Sequence, residues 1–460
     1  MVFSSMIFLW VFLPVVFIGN TFLPTKFRNG FLLLASLLFY SWGEPVYIIL
    51  MLVSILLNWL FGIAMDRYTT HKKLILIVAI ISNIGLLVYF KYWNFLLTSI
   101  TSITNQAIPN PSIALPIGIS FFTFQALSYI IDLYRGQYKA QKNLANLALY
   151  ISFFPQLIAG PIVRYKDIND QLEHRTITSE KTAAGIRRFI YGLGKKVLIA
   201  NAVAYAVDQI YATPVAQVSS LVAWLASILY AIQIYYDFSG YSDMAIGLGK
   251  IFGFEFLENF NYPYLAKSIR EFWQRWHISL STWFREYVYF PLGGNRQGTK
   301  RTYINLLIVF FLTGLWHGAN YTFILWGLLH GFFMIIERVG LRKFLDKHPI
   351  LGQIYTLLVV NCCWVFFRAD SINQALSLLK RMFMPWVYTS GISWQVFVSA
   401  KVLFIVLLAI IGSGWLSKLP VKKFTWKFSY PELIYCAVLF VLCIASLASS
   451  TYNPFIYFRF

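Results

Sequence analysis

Residues 313–331 read TGLWHGANYTFILWGLLHG. The stretch is apolar enough to lie in a bilayer, yet it carries two of the chain's six histidines, His317 and His330. Drawn as one straight helix, it sets the two imidazoles about 20 Å apart along the axis and roughly 140° apart around it. A single helix therefore allows neither a shared metal nor a catalytic pair. The alternative is a break at Gly318, with His317 at a turn after a short apolar run from Asn305. That run of about a dozen residues spans only about 18 Å, short of the ~30 Å hydrocarbon core. His317 is then expected within the membrane depth, as an interhelical strut or as a proton-transfer group lining a watered cavity. His330, inside the next apolar helix, reads as a strut.

The rest of the chain fits this frame. Of 460 residues 58% are hydrophobic and 12% charged, with a mean hydropathy of +0.64. A soluble domain carries about 25% charged residues, so the composition predicts an all-α polytopic integral membrane protein. A span needs about 20 apolar residues, which gives roughly 11 to 13 candidates. They lie at 3–20, 30–42 with 45–65, 74–98, 113–133, 145–162, 184–206, 218–236, 238–254, 302–316, 319–337, 353–368, 399–415 and 431–450. Several are short or broken by Pro or Gly, so re-entrant pieces are expected around 155–165 and 270–295. No hydrophilic stretch is long enough for a separate soluble domain, and residues 1–460 read as one membrane domain. FLWVFLPVVFIG (8–19) lacks a basic region before it and a cleavage signal after it, and reads as a retained first span rather than a signal peptide.

Cys362, Cys363, Cys436 and Cys443 lie in apolar segments without metal-type spacing; they read as small buried hydrophobes, and no metal is expected. The net charge of +20 is first a topological signal, since Lys and Arg collect in cytoplasmic loops. It also favours anionic partners such as membrane lipid headgroups or nucleotide-bearing substrates. Basic clusters fall at Lys26/Arg28, 66–73, 135–142 and 187–196, while 101–112 carries no charge. That pattern places 101–112 and the N-terminus outside. The basic residues are scattered through membrane loops, so no nucleic-acid partner is expected. No internal repeat is visible, which weakens an inverted-repeat transporter.

The most polar membrane-level region is 233–301. Asp237 and Asp243 sit there among aromatics and glycines, and a carboxylate at membrane depth is either functional or held in a structural pair. In SIREFWQRWHIS (268–279), Arg270, Gln274 and His277 share one helix face; a plain interfacial helix explains the same pattern. The loop FPLGGNRQG (290–298) can bring backbone N–H groups to an anion, though it has no phosphate-loop signature.

Taken together, FFPQLIAGPIVRY (153–165), YYDFSGYSDMAIGLGKIFGFEFLENFNYPY (235–264), FWQRWHISLSTWFREYVYFPLGGNR (272–296), LTGLWHGANYTFILWGLLHG (312–331), WVFFRADSINQAL (364–376) and NPFIYFRF (453–460) resemble the membrane-bound O-acyltransferases. The similarity runs nearly end to end. LGGNR and WHGANYTFILWG bring the chain nearest the bacterial alginate O-acetyltransferase-like branch, related to the D-alanyl transfer protein of teichoic acids.

The resemblance implies helices around a central tunnel, with the motif-rich core at about 115–340. It implies that His317 lies in that tunnel and that its functional partner is His277, about forty residues earlier, rather than His330. Its implied activity is transfer of an acetyl group from a cytoplasmic thioester, acetyl-CoA in the first instance, to hydroxyls of an extracytoplasmic polysaccharide. An extracytoplasmic SGNH-type partner is expected to take part, and no cofactor is expected to be bound. The setting implied is the bacterial inner membrane. On that reading His317 is the general base and His277 orients the donor, polarises its carbonyl or holds the tunnel. Arg275, Arg285 and Arg296 are candidates for the donor's phosphates, Asp237 and Asp243 for further substrate contacts. His330 and Asn320 are supporting positions. D-alanyl or other acyl transfer to a cell-wall polymer, a glycan transporter, and a scaffold without its own chemistry are the competing readings.

Overall fold

The computed structural model describes residues 1–106, 108–386, 392–414, 430–450 and 452–456. Among them every regular element is a helix. Among the described residues seven helices are long and apolar enough to cross a membrane, and Phe8–Phe22, Ile119–Tyr134 and Ala400–Gly412 are shorter apolar ones. Large side chains such as Ile81, Val438 and Leu442 are exposed; in a bilayer, where lipid is the solvent and helices satisfy their own backbone, these faces are stable. The chain is a multi-pass membrane protein.

Two expected spans, 218–236 and 238–254, form one continuous helix, Ser220–Ile251. Asp237, Ser239 and Gly240 lie in mid-helix, where a break was expected. Asp237 is instead neutralised by Lys196 at 2.6 Å, so the helix carries it without breaking. Around 155–165 a short helix, Phe154–Leu157, gives way to buried non-helical chain, and 269–284 divides into two short helices. Residues 457–460 of NPFIYFRF, and the end of the 399–415 span, lie outside the described residues.

The chain forms two compact units. The first comprises Met1–Phe189 and Tyr241–Leu257. Its centre is the Ile119–Tyr134 helix, buried over almost its whole length. Asn58 and Asn83 exchange amide hydrogen bonds of 2.9 and 3.1 Å between Ile48–Arg67 and Lys72–Leu87. Such polar pairs hold helices together where apolar contact with lipid is equally good. Asp243 accepts two bonds from Arg188, at 2.6 and 2.8 Å.

The second unit comprises Ile190–Gly240 and Glu258–Phe460. Its main feature is the hairpin of Thr299–His317 and Tyr321–Ile336. Small residues set the crossing, because a Cβ on Gly314 would run into the Phe323 carbonyl and one on Gly327 into the Phe310 carbonyl. Pro349–Arg368 packs on Tyr321–Ile336. The segment 452–456 is pinned to this unit: Tyr452 donates to Asp208 at 2.6 Å, Ile456 N–H to Asp237 at 2.8 Å, and Lys196 donates to the Pro454 carbonyl.

Candidate active site

The site begins at Ser268, whose hydroxyl accepts from the Glu271 N–H and starts the helix Ile269–Arg275. The buried carboxylate of Glu337 takes the next orphan donors, Ile269 N–H at 2.5 Å and Arg270 N–H at 3.1 Å. Both satisfy backbone groups that a helix start leaves open. The helix is short because the chain turns extended at Trp276 and left-handed at His277 (φ 42°) before Ile278–Phe284 begins. Few residues other than glycine take that conformation, though His is enriched among those that do.

The turn is held by 259–261. Asn261 N–H donates to the Arg275 carbonyl and Ile278 N–H to the Asn259 carbonyl, each at 2.9 Å. Asn259 Oδ1 meets the Ser279 N–H at 3.1 Å, the Ser279 hydroxyl at 2.9 Å and His277 Nδ1 at 3.2 Å. His277 and Asn259 are both fully buried.

His317 ends its helix, and Gly318 follows in extended conformation. The break at Gly318 thus exists, but the helix before it runs from Thr299, about 28 Å in all. The polar TKRTY start is helical, so the short-run argument for the depth of His317 does not hold. Asn320 opens the next helix, accepting from Thr322 N–H at 3.0 Å and donating to the Asp370 carbonyl at 3.2 Å.

The two broken elements bring His277 and His317 together, ring centroids 6.4 Å apart. Trp326 and Phe367 stand edge-on to His317 at 5.1 and 5.2 Å, and Phe238 edge-on to His277 at 4.6 Å. A cavity of about 10 Å³ opens beside His317, walled by Phe238, Trp276, Trp326, Trp364 and Ile456 among others. That is about the space of one water.

His330 is elsewhere, boxed by Phe272, Trp273, Phe310 and Trp326. Its Nδ1 accepts from the Trp273 indole N–H at 3.3 Å. Arg275 is held by Glu271 at 2.8 Å and the Asn261 carbonyl at 3.1 Å, while Arg285 and Arg296 are exposed. Asp237 lies in the pair with Lys196, a residue the sequence placed in a basic cluster and the structure buries. Sequence reasoning missed Asn259, Lys196 and Glu337. The one available signal was a polar Asn at 259 within the aromatic run FEFLENFNYPY (254–264).

The family model for membrane-bound O-acyltransferases matches residues 34–379, a span containing both histidines and Asn259. The chain belongs to the membrane-bound O-acyltransferase family. Among its relatives is the probable alginate O-acetylase AlgI of Pseudomonas aeruginosa, 46% identical over 83% of this chain and 75% of that protein. The peptidoglycan O-acetyltransferase of Helicobacter pylori is 38% identical over 83% of this chain and 80% of its own. The teichoic acid D-alanyltransferase of Bacillus subtilis is 30% identical over 58% of this chain and 69% of its own. As a membrane-bound O-acyltransferase the protein is an enzyme of acyl transfer.

Proposed function

We propose that this O-acyltransferase moves an acetyl group from a cytoplasmic thioester, acetyl-CoA, across the bacterial inner membrane to hydroxyls of an extracytoplasmic polysaccharide. The transfer is direct or ends on an extracytoplasmic SGNH-type partner. The apposition of His277 and His317, 6.4 Å apart and both buried, carries the proposal. The identity with relatives named for acetylation of alginate and of peptidoglycan supports acetyl as the group moved.

In the reaction the acceptor oxygen attacks the thioester carbonyl carbon and a C–O bond forms. The hydroxyl proton passes to an imidazole of the pair. Collapse of the tetrahedral adduct breaks the C–S bond, and the departing thiolate takes the proton back as free thiol. The aromatic walls around His317 keep bulk water from the thioester and strengthen the polar contacts that remain. Arg285 and Arg296, exposed and cationic, are the candidates for the donor's phosphates; Arg275 already serves Glu271.

The test uses purified chain in proteoliposomes with labelled acetyl-CoA, read as acetyl transfer and as release of CoA thiol. Wild-type protein is expected to consume the thioester, and His317→Ala to lose that activity while remaining folded. Transport of glycan with no consumption of acetyl-CoA sinks the proposal.

A further inference from the structure

We infer that a crevice in the first unit binds one phospholipid with an anionic headgroup, its acyl chain between Phe8–Phe22 and Thr25–Ser41 and its phosphate at Arg28. The site does not rest on the acyl-transfer reading.

The crevice has a volume of about 520 Å³. Val11 and Val15 wall it from the first helix, and Phe31, Leu34, Ala35 and Leu38 from the second. The four positions on the second helix recur at spacings of three and four, so they form one stripe. Ala35 is the small member of that stripe and leaves room where a larger side chain would stand. Gly19 acts likewise on the first helix, since a Cβ there would run into the Phe31 ring. Val11, Val15, Leu34 and Leu38 are each more than half exposed, so the crevice opens outward to the bilayer.

From Phe31 to Trp42 the lining covers about 16 Å of helix. That is about half of the ~30 Å hydrocarbon core, the depth of one leaflet. Water in an apolar crevice at that depth would find no hydrogen-bond partners. A single acyl chain matches both its length and its walls.

Charge selects the headgroup. Arg28 lies one turn before Phe31 on Thr25–Ser41. Its Nε and Nη2 donate to the carbonyls of Leu23 and Thr21 at 3.0 and 3.3 Å, where Phe8–Phe22 ends. These bonds fix the guanidinium at the foot of the crevice. Arg175 stands near it: burial, then the charge of Arg28, pushes the Arg175 pKa down to about 10. Arg175 donates to Asn29 Oδ1 at 2.5 Å and to the Phe252 carbonyl at 3.1 Å. Lys26 lies over the Phe27 ring at 4.9 Å. Among the described residues no carboxylate pairs with any of these three cations. Carbonyls satisfy their N–H groups but cancel no charge, so neighbouring guanidiniums favour an anion. A zwitterionic headgroup brings a cation of its own. Lys26 and Arg28 also lie on the side that the charge pattern assigns to the cytoplasm, where anionic lipids attract basic residues.

The experiment reconstitutes the full chain in phosphatidylcholine vesicles containing a trace of phosphatidylglycerol with a photoreactive acyl chain, or of phosphatidylcholine with the same chain. Adducts are located by peptide mass spectrometry. Wild-type protein is expected to take the phosphatidylglycerol probe on 31–38 about fivefold more than the phosphatidylcholine probe, the scale of one basic side chain at a membrane surface. Arg28→Gln is expected to remove that preference, and Ala35→Phe to remove labelling of 31–38 by either probe. Lys73→Gln, in a different basic cluster, is expected to leave both unchanged. Equal labelling by the two probes in wild type overturns the inference, as does labelling that survives Ala35→Phe. Disulfide-linked dimers that appear only with Leu38→Cys would give the crevice to a second copy and overturn it too. If Arg28→Gln does not fold, the wild-type probe ratio and Ala35→Phe decide.

Discussion

The ring centroids of His277 and His317 lie 6.4 Å apart, each set by a different interruption in the helical chain, one a left-handed turn and the other a helix end. Neither imidazole reaches the other through an unbroken helix. The pair exists because both elements stop where they do.

If the pair acts as a unit, its single variants should be about as damaging as the double. His277→Ala, His317→Ala and the double variant are each expected to reduce acetyl-CoA consumption by about 100-fold or more. Thermal stability of each in detergent, together with thiol-release kinetics, checks this. Losses that multiply in the double variant would mean the two residues act independently.

His330 should separate stability from chemistry. His330→Phe keeps the aromatic packing but removes the acceptor of the Trp273 indole. The stranded buried donor costs about 1–3 kcal/mol. A lower melting temperature with kcat within a few-fold of wild type is expected. Loss of turnover at unchanged stability would place His330 in the reaction.

The buried pair of Lys196 and Asp237 should be far more sensitive to single than to double substitution. Asp237→Leu leaves a buried ammonium without its carboxylate, at a cost of about 3–5 kcal/mol. Lys196→Met combined with Asp237→Leu should recover much of that. Denaturation midpoints of the two single variants and the double one measure the difference.

At the hairpin, Gly327→Val places side-chain atoms against the Phe310 carbonyl and must push Thr299–His317 away from Tyr321–Ile336. Both stability and turnover should fall, because His317 sits at the end of the displaced helix. Unchanged kinetics in Gly327→Val would show that the position of His317 tolerates such a shift.

The membrane class and most helices were legible, because apolar length alone identifies a span, and 349–368 or 430–449 needs no more than that. The break at Gly318 was also legible. What escaped were features set by partners distant in sequence. Nothing local shows that Lys196 is neutralised by Asp237, so Lys196 reads as one more charge of a basic cluster and residues 218–254 read as two spans. Asn259 escaped for the same reason: an amide's role depends on which donors the fold aims at it. The start of the His317 helix was misplaced because TKRTY looks like loop, while in the structure it forms the first turns of the helix, with the Thr302 hydroxyl donating back to the Gly298 carbonyl.

The docking of 452–456 bears on biogenesis. Ile456 walls the cavity beside His317, yet it leaves the ribosome long after both histidines are in place. Until that segment settles on Asp208, Asp237 and Lys196, one side of the cavity is unbuilt. A chain that has not yet docked 452–456 therefore holds both histidines beside a cavity open on one side.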